Sequence, residues 1–145
     1  MRFSGTIMAL FLAACGSPSP EAEWTRCLGE HRTMLGKYQT LYATAKGKVA
    51  ELPAPDGTPT AIANRKIIDD AVVMVGGGIT TFEAALNSVQ AAVEPDLKGP
   101  RAADTVKTGC GRLALAGKQV AEKIASSGKA IQIYNELTAK TRWPR

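Results

Sequence analysis

The amino-acid sequence predicts an all-α protein, an elongated up-down-up bundle of three helices. Three observations carry that expectation. Prolines and glycines gather in short stretches and leave three long proline-free pieces, each far beyond strand length. Each piece spaces its apolar residues in alternating steps of four and three, the seam of helices that cross at about 20° in a left-handed bundle. The connections are short, which makes sequential helices antiparallel neighbours.

The first piece follows the linker GSPSP (Gly16 to Pro20). Ser19-Pro20 sets a capping oxygen before a proline at the first helical position, where its missing N–H costs nothing. The stripe is Trp24, Leu28, His31, Leu35, Tyr38, Tyr42, Ala45 and Val49. The turn LPAPDGTP (Leu52 to Pro59) repeats the capping device with Thr58-Pro59. Beyond it the second stripe is nearly unbroken: Ile68, Val72, Val75, Ile79, Phe82, Leu86, Val89 and Val93. Pro95, in EPDLKGP (Glu94 to Pro100), stops it. The third stripe, Val106, Cys110, Leu113, Gly117, Val120, Ile124, Ser127, Ile131 and Tyr134, contains weaker members. Pieces of this length at 1.5 Å per residue give a bundle about 50 Å long. A break at a glycine would divide it into four helices.

Ahead of the bundle stand Arg2, an uncharged apolar run from Ile7 to Ala14, and the junction LAAC (Leu12 to Cys15). The run is too short to span a bilayer, which takes about 20 apolar residues, and has the proportions of a secretory signal. Leu-Ala-Ala-Cys resembles the lipobox of bacterial lipoproteins. The resemblance implies that residues 1–14 are a signal peptide removed by a dedicated peptidase. Cys15 then becomes a lipidated N-terminus, residues 15–20 a lipidated linker, and residues 21–145 the helical bundle domain. In that family aspartate after the cysteine retains the protein at the inner membrane. Gly16 departs from that pattern, so the implied home is the outer membrane of a Gram-negative bacterium, facing the periplasm. Small helical lipoproteins with one disulfide include secretin pilotins, which the bundle is similar to in size and class. Two or three acyl chains on one residue make a stable anchor, because each buried methylene contributes about 0.8 kcal/mol.

That assignment leaves Cys27 and Cys110 as the cysteines free to pair in an oxidising compartment. In an up-down-up bundle the first and third helices start at the same end. Cys27 lies about seven residues into one and Cys110 nine or ten into the other, so their heights differ by only ~3–5 Å. A disulfide between them is expected. The rival is a metal site built on Cys27 and His31, one turn apart, with Glu23 and Glu30 nearby. His31 is the only histidine, and an oxidised Cys27 is no thiolate ligand, so neither metal nor cofactor is expected.

VVMVGGGITTF (Val73 to Phe82) invites a nucleotide reading. Gly76 and Gly78 fit the first two positions of GxGxxG, but Thr81 takes the third and no strand–helix–strand series surrounds it. The stripe continues through the glycines, so the helix is expected to continue too, although three glycines cost it about 3 kcal/mol relative to alanine. Gly76 and Gly78 flank the seam, Gly77 faces out, and Gly117 holds a seam position at the same height. The expectation is a close-packed waist, with a small apolar cavity for a ligand as the sharper alternative.

Charge is uneven along the mature chain. From Lys98 onward there are 10 Lys and Arg against 3 Asp and Glu, while Cys15 to Leu97 has 7 against 10. The positive charges of the third helix (Lys107, Arg112, Lys118, Lys123, Lys129, Lys140) scatter over several faces, as on a solvated surface. An anionic envelope component is a possible partner on these grounds; nucleic acid is not, for want of any recognition module. The tail TRWPR (Thr141 to Arg145) offers Trp143 to the bundle, a membrane or a partner. Catalysis needs positioned acid, base or nucleophile groups in a concave site. Asp69 and Asp70 are helix neighbours that diverge, and no catalytic set is present. The expected function is therefore a non-enzymatic, membrane-anchored envelope lipoprotein, a helical interaction or adaptor module for an envelope protein or anionic component. The alternative is a carrier of a lipid or small apolar ligand in the bundle interior.

Overall fold

The computed structural model describes the backbone of residues 18–140 and the side chains of residues 18–129. The signal sequence, Cys15, the side chains of Ile131 and Tyr134, and Trp143 lie outside the described residues. The described chain is all-helical: α1 (Pro20–Ala50), α2 (Pro59–Val93), a 3₁₀ turn (Glu94–Asp96) and α3 (Ala102–Lys140). α2 runs without interruption through Gly76, Gly77 and Gly78.

Local chemistry sets the boundaries. Ser19 Oγ accepts the Ala22 N–H at 3.2 Å, and Thr58 Oγ1 accepts the Ala61 N–H at 3.3 Å, each just ahead of a proline in the first turn. These bonds satisfy amides that a helix start leaves without a partner. Between α1 and α2, Gly57 takes φ 89°, a left-handed conformation that a side chain disfavours. Asp56 Oδ1 then accepts from both the backbone N–H and the hydroxyl of Thr58, at 3.0 and 2.8 Å. Arg65 closes the other side of this turn. Its guanidinium donates to the Val49 and Leu52 carbonyls at 3.1 and 3.4 Å and to Asp69 at 3.2 Å. The end of α1 and the turn just beyond it are thereby capped from α2.

The seam residues form the core. Phe82, Leu113 and Val106 are completely enclosed, with Ile79, Leu86, Val89, Val93 and Val120 around them. On α1 the depth changes along the helix. Trp24, Cys27, Leu28 and His31 are buried, whereas Leu35, Tyr38, Tyr42, Ala45 and Val49 are only half-buried. The α1 contacts to α2 run in reverse order: Arg32 donates to Gln90 at 2.8 Å, Tyr38 tilts against Phe82, and Arg65 reaches Val49. Between α2 and α3 the order is again reversed, with Val93 beside Gly109, Phe82 beside Gly117 and Ala71 bonded to Ser127.

α2 with its following turn (Pro59–Asp96) is long and apolar enough, by length and composition alone, to cross a membrane. Here its inner face is the one on which the other two helices close. Its outer side leaves Ile62, Ile67, Val73 and Met74 exposed.

Candidate functional site

The starts of α1 and α3 are joined by a disulfide between Cys27 and Cys110, whose Cα atoms lie 6.2 Å apart. His31, one turn below Cys27, is buried beside it. Its Nδ1–H donates to the Cys27 carbonyl at 2.8 Å, since a carbonyl can only accept, and its ring stands edge-on to Phe82. Cys27 is thus a bonded sulfur and His31 a satisfied core residue. Among the described residues no three His, Cys, Asp or Glu side chains come together as a metal site would require. Trp24, at the same end, is 3% exposed, and its indole N–H has no acceptor among the described residues.

The four glycines singled out by sequence occupy different surroundings. A methyl group on Gly76 would stand 2.7 Å from the Tyr42 hydroxyl, and one on Gly78 2.8 Å from Lys123 Cδ. Gly117 admits Met34 Sδ to 3.0 Å of the same position. Gly77 has nothing within 4 Å. Beside Gly78 the free space is about 20 Å³, room for about one water and too little for a larger ligand. Gly109 is a further close contact that the sequence reading passed over. A methyl there would meet Val93 Cγ2 at 2.7 Å and Trp24 Cζ3 at 3.4 Å. Its signal was the position: one residue before Cys110, level with the largest side chain of α1.

A larger space opens toward the other end of the bundle, a cavity of about 180 Å³ between all three helices. α1 contributes Leu41, Tyr42 and Ala45, and α2 contributes Ala71, Val72 and Val75. Ile124, Ser127 and Gly128 of α3 complete the wall. The cause is a layer of small side chains. Adjacent layers carry larger side chains, Ile79 on one side and the fully buried Ile68 on the other. Ala45, Ala71, Ser127 and Gly128 cannot fill what lies between, and protein interiors elsewhere are close-packed. The wall is almost entirely carbon. Of its two hydroxyl-bearing residues, Ser127 donates to the Ala71 carbonyl at 3.3 Å, and Tyr42 sets its hydroxyl against Gly76.

A second, more open groove of about 240 Å³ lies at the disulfide end between α2 and α3. Arg101, just ahead of α3, and Thr105, Thr108 and Arg112 recur at steps of four, three and four along its α3 edge, with the Asp104 carboxylate among them. Val89, Ala92 and Val93 form its floor.

The carboxylates of Asp69 and Asp70 belong to neither space. They pair with Arg65 and Lys66 one turn earlier, at 3.2 and 2.8 Å. The hydrogen bond to Asp70, and then that carboxylate's charge, hold the Lys66 ammonium above its ordinary pKa. Both members of the Lys66 pair are exposed on the outer side of α2, where they line no concave site.

No protein-family model, curated protein or solved structure matches this chain.

Proposed function

We propose that this chain is a non-enzymatic lipoprotein of the bacterial envelope. It is cut before Cys15, held in the outer membrane by acyl chains on that residue, and works from the periplasmic face as a tethered interaction module. The module is an elongated three-helix bundle in up-down-up order. The reversed contact order of α1 with α2 and of α2 with α3, and the joined starts of α1 and α3, support that arrangement.

The Cys27–Cys110 disulfide carries the reading. Structural disulfides persist in oxidising compartments and are rare in the reducing cytosol. With three cysteines in the chain, the bond also leaves one, Cys15, for the thioether that the lipobox implies. Partner binding is supported by the exposed aliphatic side chains of α2, Val73 foremost. The arginine-edged groove supports an anionic envelope component as a second type of contact. Carriage of a ligand at the glycine waist has less support, because Tyr42 and Lys123 already occupy the approaches to Gly76 and Gly78.

A photocrosslinking residue at Val73, in the native host, tests the module. A single envelope protein should be captured there, and none from Gly29, which has open surroundings on α1. Equal capture at both positions would remove the case for a specific face. Cys15→Ala should release the protein from membranes or stop its processing; unchanged maturation and membrane retention would refute the anchor.

A further inference from the structure

We propose that the cavity framed by Ala45, Val72, Val75, Ile124 and Ser127 is a binding site for an uncharged hydrocarbon group about the size of a benzene ring. This site goes beyond the interaction-module reading and does not depend on it.

Size comes first. At about 180 Å³ the space, which is partly open to solvent, has slightly more volume than the roughly 150 Å³ of an enclosed engineered apolar cavity that takes up benzene or xenon. Chemistry selects the occupant. A water needs two to four polar partners to be held in such a place. Of the two hydroxyls among the lining residues, that of Ser127 is engaged with Ala71 and that of Tyr42 lies against Gly76, and the neighbouring carbonyls belong to helices. A charged or strongly polar ligand would lose its hydration with nothing to replace it. A hydrocarbon group loses only unfavourable contact with water, and gains the dispersion contacts that the small-residue layer leaves unmade.

Entry does not require the bundle to open. Leu41, at the rim, is 56% exposed although it is a large aliphatic residue on a wall shared with Tyr42. A single rotamer change on an exposed side chain is a fast motion. Ligand entering past it would cover Leu41, so that rim and wall are buried together.

The experiment uses the full lipoprotein in isolated envelopes and a phenyl-substituted trifluoromethyl diazirine as photoprobe. Label should concentrate on Leu41, Val72 and Ile124, should be displaced by excess benzene, and should be lost in Gly128→Leu. A methyl group at Gly128 meets nothing within 4 Å, so the first carbon of the new side chain has room. Ala45→Leu fills the space from the α1 side and serves if the first variant fails to accumulate. Label spread equally over Ile62 and Val73 on the outer side of α2, or undiminished in a well-folded filled variant, would overturn the proposal. Should neither variant accumulate, the distribution between cavity wall and outer side in the unaltered protein decides it alone.

Discussion

Opening the Cys27–Cys110 bond separates what the disulfide contributes from what packing contributes. The bond joins residues 83 apart in sequence. Closing a loop of that length restricts the unfolded chain by about 4.5 kcal/mol on the chain-entropy treatment. Reduction by dithiothreitol leaves both sulfur atoms in place beside Trp24 and Leu28, so it removes the constraint while sparing most contacts. Cys27→Ser and Cys110→Ser remove the same constraint and add a local cost. For Cys27, at 6% exposure, that cost is held down if the new hydroxyl donates to the carbonyl of Glu23, as helix serines commonly do.

The three forms should therefore lose similar stability, about 4–5 kcal/mol each, and the double variant should be no worse than either single one. For a domain of this size that lowers the melting temperature by roughly 10–25 °C. Urea unfolding followed by circular dichroism gives a second, sharper reading. The bond acts on the unfolded ensemble, so its loss should raise the m-value as the denatured chain expands. Single variants differing by more than about 2 kcal/mol would show that local packing outweighs the shared constraint. Reduction that costs less than about 1 kcal/mol would refute the entropic argument outright.

Two glycine replacements should move stability in opposite directions. Gly77→Ala meets open space and should stabilise by up to about 1 kcal/mol through helix propensity. Gly109→Ala drives a methyl against the buried Val93 and should destabilise by about 1–2 kcal/mol despite the same propensity gain; a paired urea titration reads both. Arg65→Ala withdraws the donor from the Val49 and Leu52 carbonyls, at a cost of about 1.5 kcal/mol for charge-assisted bonds. Amide exchange should then quicken in the last turn of α1 and leave Cys27 to His31 unchanged; uniform quickening would contradict a local cap.

Periodicity made the core face of every helix readable, because a side chain's direction around a helix depends only on its place in the sequence. The caps at Ser19 and Thr58 were readable for a related reason: donor and acceptor lie within one turn of each other. Cys27 and Cys110 could be matched because two helix starts set a common origin for height. Depth was not readable. Ala45 has the same place in the α1 stripe that Trp24 has near its start, yet one lines a cavity and the other is buried in the core. The difference lies in the residues opposite, and matching Ala45 to Ala71, Ser127 and Gly128 requires the register of all three helices at once. Arg65 and Gly109 were hidden by the same limit, since each acts on a neighbouring helix and neither interrupts its own pattern. A seam can therefore be continuous in direction and deficient in volume. The layer at Ala45 is where those two properties separate, and a hydrocarbon-sized space is their direct consequence.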